Sequence, residues 1–445
     1  MKNRFATSVA LFSVCLMVTA VSAHAQVKPL AFKEYDLKNG LHVILHEDHS
    51  APVVATVVHY KVGSRDEDPA RTGFAHFFEH LMFESTDDIE RGTVDKMVNG
   101  AGGQLNAYTS NDETVYHFEV PSNQVRLALW IEAQRMRRLH VNDIGVETQR
   151  GVVKEERKNR YDNAAYGGWF EKMQAKLFAG TPYAWAPIGS AQHIDSASNQ
   201  EFIDFYNMFY QPNNAILVVS GDFDEKLVRE TIDAYFGGYA KASEPRRPVF
   251  TDLKPLTVSS NDTINDTKAQ LPAMFIGYQG ISMKDEDAYA AELLSTIMVG
   301  GESSRLYRSI VDSQQTAVQV SFNSQMREYG GMTFFVGIAA PGKSLTDVLA
   351  GIDVEIEKLV RNGVTDAELQ KAKNVTESQF VGGRTGMYNK ALQLANYHRY
   401  YGSTELINKE LERYMKVTTA DVKRVAKRLL ENKQRVILTY LPVRG

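Results

Sequence analysis

Cysteine is almost missing from the sequence: one, Cys15, in 445 residues. It falls in an N-terminal apolar stretch that reads as a leader, so the mature chain is expected to contain none. That excludes disulfides, thiol nucleophiles and cysteine-ligated zinc together. A surplus of one charge is missing too, with 50 basic against 54 acidic residues and a pI near 6.3. No broad positive field exists, which argues against nucleic acid or an anionic membrane as the main partner. Long apolar runs are absent as well. The longest, Val9 to Ala20, is about a dozen residues against the ~20 needed to span a bilayer, so no transmembrane segment is expected in the mature chain. Nor is the composition biased, since 43% hydrophobic and 23% charged residues exclude disorder and collagen-like repetition.

What is present begins with an address. Lys2 and Arg4 form a basic start, Val9 to Ala20 an apolar centre and Ala23-His24-Ala25 a small-x-small cleavage site, so residues 1–25 read as a signal peptide. Export, to the periplasm, is the expectation. The remaining length is too great for a single small module and calls for two or more packed units.

Periodicity gives their order. Strand-like runs occur at His42 to Glu47, Val53 to Val62, Gln104 to Thr109 and Thr114 to Val120. Helical patterns occur at Phe74 to Phe83, Val94 to Asn99, Gln124 to Leu139 and Asp143 to Asn159. A helix, Asn199 to Met208, and a strand, Ala215 to Ser220, close this half. Gly237-Gly238, Pro245, Pro248 and Pro255 then mark a linker over 238–256. Beyond it a similar order recurs, ending in the helix Thr419 to Leu430 and the strand Arg435 to Leu441. The expected fold is α+β: two homologous domains, 26–237 and 257–445, each with helices packed on a largely antiparallel sheet.

The chemistry concentrates in Gly73-Phe74-Ala75-His76-Phe77-Phe78-Glu79-His80-Leu81. On a helix His76 and His80, at i and i+4, stand one above the other, so two imidazoles reach one metal. Glu79 lies beside that metal, placed to act as general base. A carboxylate from elsewhere would complete a His₂Glu zinc site. In Val152-Val153-Lys154-Glu155-Glu156, Glu156 follows the valine pair by three and four residues and is expected on their buried face, with Glu155 turned to solvent. Glu156 is therefore the favoured third ligand.

His76-x-x-Glu79-His80, followed 76 positions later by Glu156, with Gly102-Gly103-Gln104-Leu105-Asn106-Ala107 between them, resembles the pitrilysin or insulinase family of zinc metallopeptidases. The likeness is to its short-chain branch, which includes mitochondrial processing peptidase subunits and bacterial exported relatives. Tyr210-Gln211-Pro212-Asn213-Asn214 and Gly300-Gly301-Glu302-Ser303-Ser304-Arg305-Leu306-Tyr307 are also family-like. The resemblance implies two domains per chain, four around a closed chamber, one zinc per chain on the first domain, and a peptide substrate pairing as a strand beside Asn106 and Ala107. Two departures stand out. Gln149 occupies a place, seven residues before Glu156, where members often carry a Glu that orients the metal site. Val311 and Val318 stand where self-sufficient members place an Arg and a Tyr against the substrate carbonyl, and neither valine can donate a hydrogen bond. The expectation is a zinc endopeptidase subunit completed by a homologous partner that supplies the Arg and Tyr. The alternatives are a homodimer using Arg305, Tyr307 or Arg308, and a noncatalytic peptide-binding or assembly subunit.

Overall fold

The computed structural model describes residues 28–249, 253–431 and 433–443, so the signal-peptide expectation for 1–25 lies outside the described residues. The first half supplies strands β1 (Lys33–Asp36), β2 (His42–Glu47), β3 (Val53–Tyr60), β4 (Gln104–Thr109), β5 (Thr114–Pro121) and β6 (Ala215–Gly221). Its helices are α1 (Phe74–Leu81), α2 (Val94–Gly100), α3 (Val125–Arg137), α4 (Asp143–Arg157), α5 (Trp169–Leu177), α6 (Ala191–Ser196), α7 (Asn199–Phe209) and α8 (Glu225–Phe236). The second half carries β7 (Ser260–Asp266), β8 (Ala273–Gly280), β9 (Ala317–Met326), β10 (Gly331–Ala339) and β11 (Val436–Pro442). Helices α9 (Ala288–Val299), α10 (Leu345–Asn362), α11 (Asp366–Gly382), α12 (Met387–Tyr401), α13 (Glu410–Lys416) and α14 (Thr419–Leu430) accompany them.

The strand orders are β1-β2-β6-β3-β5-β4 and β7-β11-β8-β10-β9. In each sheet the last strand of the half inserts between earlier ones: β6 runs parallel to β2 and antiparallel to β3, and β11 runs parallel to β7 and antiparallel to β8. Apart from β1, one sheet repeats the other strand for strand. The fold is α+β with two like units.

Both sheet faces are covered, which is why their central strands read as continuous apolar runs. On one face of the first sheet Val43, Val54, Val58, Leu217 and Val219 pack with α1, α3, α7 and α8. On the other, Ile44, Val57, Val115, Ile216 and Val218 meet Ala391, Leu394 and Ala395 of α12, a helix from the second half. The exchange is mutual, because Met173 and Leu177 of α5 pack on Ala273, Phe275 and Leu438 of the second sheet. Between the halves sits a buried ionic cluster. Glu328 accepts from Arg399 (2.8 Å) and Lys284 (2.9 Å) and pairs with Arg65 (2.9 Å), and its backbone N–H donates to Asp112.

Candidate metal centre

Helix α1 is amphipathic in a way that fixes its rotation. Phe74, Phe77 and Phe78 stack against Phe202, Phe205, Tyr206 and Tyr210, which turns His76, Glu79 and His80 to the opposite face. Gly73 begins the helix at φ 98°, and a Cβ there would meet the Ile188 carbonyl at 3.0 Å. The orphan donors of the first turn are satisfied by a buried carboxylate: Glu67 accepts from the N–H of Gly73 (2.9 Å), the N–H of Ala75 (2.8 Å) and Trp185 Nε1 (3.0 Å). Burial pushes the Glu67 carboxyl up to about 8 despite these donors.

Helix α4 brings the third group. Asn142 caps it by accepting from the Gly145 N–H. At its far end Glu156 Oε2 lies 3.4 Å from His76 Nε2 and 3.2 Å from His80 Nε2, with the two rings 4.9 Å apart at 77°. All three donor atoms lie within 4.8 Å of one another. Tetrahedral zinc spaces its ligands by about 3.4 Å, so the set fits the ion in both chemistry and span. Arg160 pairs with the other Glu156 oxygen at 2.8 Å. Hydrogen bonds from His76 and His80, then the charges of His76 and Arg160, hold the Glu156 carboxyl well below the usual carboxylate range. The Glu155 side chain is 65% exposed against 17% for Glu156. Of the valine pair expected on the buried face, Val153 is buried but Val152 is 45% exposed, so only one of them marks the inner face.

Glu79 Oε2 accepts a hydrogen bond from Thr109 Oγ1 at 2.6 Å. Thr109 ends β4, an edge strand whose outer rim has no strand neighbour among the described residues. Asn106 and Ala107 lie on this edge, and the Asn106 side chain accepts from the Ala107 N–H. Gln149 makes no hydrogen bond to the histidines or Glu156. It donates to Glu84 at 2.7 Å, just beyond the end of α1, and so braces α4 against α1. Val311 lies in a π-helical turn over Tyr307–Ser313 and Val318, 49% exposed, on β9. Arg305 is committed within the chain, with two hydrogen bonds to Glu368 and one to the Gly363 carbonyl.

Sequence reasoning missed Glu67, Thr109 and Arg160. Strand alternation over Gln104–Thr109 puts Leu105, Ala107 and Thr109 on one face, so Thr109 could have been found. Glu67 lies in a loop seven residues before the helix it anchors, where no periodicity points to it.

Two family models match the chain: "Insulinase (Peptidase family M16)" over residues 42–186 and "Peptidase M16 inactive domain" over residues 196–376. The zinc protease PqqE of Helicobacter pylori is 30% identical over 390 residues, covering 87% of this chain and 88% of that protein. The crystal structure of a protease from Helicobacter pylori superposes with a TM-score of 0.88 at 27% identity, over 93% of this chain and all of that one. The periplasmic protease PqqL from Escherichia coli shares the fold, with a TM-score of 0.76 at 20% identity over 93% of this chain but only 48% of that longer one.

Proposed function

Because this chain belongs to the insulinase family, peptidase family M16, we propose that it is a zinc-dependent endopeptidase cleaving peptides or unfolded polypeptides inside a closed chamber. The observation that carries the reading is the convergence of His76, His80 and Glu156 beside a Glu79 held by Thr109. Residues 26–237 form the zinc-bearing domain and 257–445 its homologue without the motif, joined by 238–256. His76, His80 and Glu156 hold one Zn²⁺ per chain. When bound, zinc supplies Lewis-acid polarisation of the scissile carbonyl and acidifies the attacking water. Glu79 takes the proton from that water and returns it to the leaving amine. Substrate adds as a strand to the β4 edge at Asn106 and Ala107, so backbone hydrogen bonds position it with little demand on its sequence.

The second half offers no matching donors at Val311 and Val318, and Arg305 is tied to Glu368. A homologous partner chain carrying the Arg and Tyr therefore completes the site. That PqqL is about twice this length is consistent with a catalytic unit built from two such chains. The leader-like N-terminus supports export to the periplasm. The test is hydrolysis of unfolded peptides by the zinc-loaded chain, alone and with its homologous partner. Weak turnover alone, restored by the partner, is expected. Full turnover alone overturns the heterodimer, and no turnover with the partner overturns the endopeptidase.

A further inference from the structure

Glu84 stands three residues past the end of α1 but moves with it, because its backbone N–H donates to the Leu81 carbonyl at 2.9 Å. The residue is 4% exposed, and its carboxylate is held from two sides. Arg91 donates to it through Nε, and Gln149 Nε2 on α4 donates to Oε1 at 2.7 Å. Helix α4 approaches closely here, since a Cβ on Gly145 would meet Glu84 Cγ at 3.3 Å. Gly145, Gln149 and Glu156 are four and seven residues apart, hence on one face of α4. The two elements that carry the metal ligands therefore touch at two levels. One is the ligand set itself, with Glu156 3.2 Å from His80, and the other is the Glu84–Gln149 bond.

This second contact admits only one arrangement of donors. An ionised carboxylate can only accept, so the Gln149 amide must turn its NH₂ to Glu84 and its Oε1 away. That Oε1 is buried without a hydrogen-bond partner, a cost offset by the bond to a charged acceptor on the other side. A glutamate at this place, which family members often carry, would have no proton to offer when ionised. Its oxygen would stand about 2.7 Å from Glu84 Oε1, and like charges that close force one carboxyl to stay protonated or the two elements to part. Gln149 is thus the matched donor for Glu84 and not a weakened glutamate. The consequence reaches the metal because ligand distances are confined to about 0.2 Å, so a small parting of α1 and α4 displaces Glu156 from the histidines.

We infer that Glu84 and Gln149 are a positioning pair, which sets the separation of α1 and α4 and with it the place of Glu156 opposite His76 and His80; the inference rests on the metal centre proposed above. The probe is Zn²⁺ alone, titrated into the full chain against a competing chelator, with urea unfolding of the same variants to separate affinity from stability. Gln149→Glu should weaken zinc binding ~10–100-fold, the usual cost of disturbing a group that orients a metal ligand. Gln149→Met removes only the donor at a half-buried position and should weaken zinc in the same direction, which keeps the test open if Gln149→Glu does not fold. The exchanged pair, Glu84→Gln with Gln149→Glu, restores the bond with its polarity reversed and leaves an amide oxygen for Arg91. It should regain roughly tenfold over Gln149→Glu alone. Zinc held by Gln149→Glu as tightly as by the wild type, or more tightly, overturns the inference. So does an exchanged pair no better than the single variant, or a loss confined to urea stability with zinc affinity unchanged, as a merely structural bond would give. A wild type that holds no zinc overturns the metal centre as well, so the two failures part at the first titration.

Discussion

Glu328 offers a quantitative test of how the two halves are held. Its side chain is 6% exposed and faces Arg399, Arg65 and Lys284. Burial alone would raise its carboxyl, but Arg399 and Arg65 hold it down at about 2. Lowering from the ordinary 4.5 to about 2 corresponds to ~3 kcal/mol at neutral pH. Breaking a buried ion pair by removing one partner costs a similar ~3–5 kcal/mol. Glu328→Gln keeps the size but leaves Arg399 without its carboxylate and Arg65 with only the longer contacts to Asp112 (3.4 Å) and Asp66 (3.7 Å). The folded-state value is depressed, so the stabilisation is complete above about pH 4.5 and disappears as pH falls toward 2. The variant should therefore be ~3 kcal/mol less stable at pH 7, with the difference closing across that acid window. Urea titration can be followed by Trp185, whose Nε1 donates to the Ser64 carbonyl beside Arg65. A variant within about 0.5 kcal/mol of wild type at pH 7, the usual scatter of neutral surface changes, would refute the argument. So would a deficit that persists undiminished at pH 2.

At the metal centre, Glu156→Gln should weaken zinc binding by more than the roughly 100-fold cost of losing an outer-shell partner, whereas Glu155→Gln should leave a zinc titration unchanged; the reverse order would mean the α4 register is misread. Glu79→Gln should retain zinc yet lose roughly 10²–10⁴ in turnover with the partner present, and near-normal hydrolysis would eliminate it as the base. Thr109→Val removes a hydrogen bond to an ionisable carboxyl and should lower kcat about tenfold with KM little changed; an unchanged kcat would leave Thr109 a merely structural role.

Much of this architecture is legible in the sequence because single faces are buried. Helix Thr419–Leu430 has the bounds its periodicity predicts, and Gln104–Thr109 is a strand over the full alternating run. The helix after Asn142 ends at Arg157 as an α-helix and continues as a π-helical turn over Lys158–Asp162, a change of hydrogen bonding that apolar spacing does not register. The exchanged helices were harder to see. Helix α12 packs Leu394 and Ala395 against the first sheet while Tyr400 and Lys390 carry buried polar contacts, so its apolar and polar positions interleave. Strands β1 and β7 are exposed along much of their length and lack an apolar signature. The three candidate ligands were visible because metal chemistry demands particular residue types at particular helical spacings.

The exchange of α5 and α12 has a consequence for how the chain is made. Synthesis delivers the whole first sheet by Gly221, yet its outer face must wait for α12, which is not finished until Tyr401. At ~5–20 residues per second that wait is on the order of ten seconds or more. Throughout it Ile44, Val57, Val115, Ile216 and Val218 lack the cover of Ala391, Leu394 and Ala395. A nascent first half therefore keeps part of this apolar face open to water until α12 has been made.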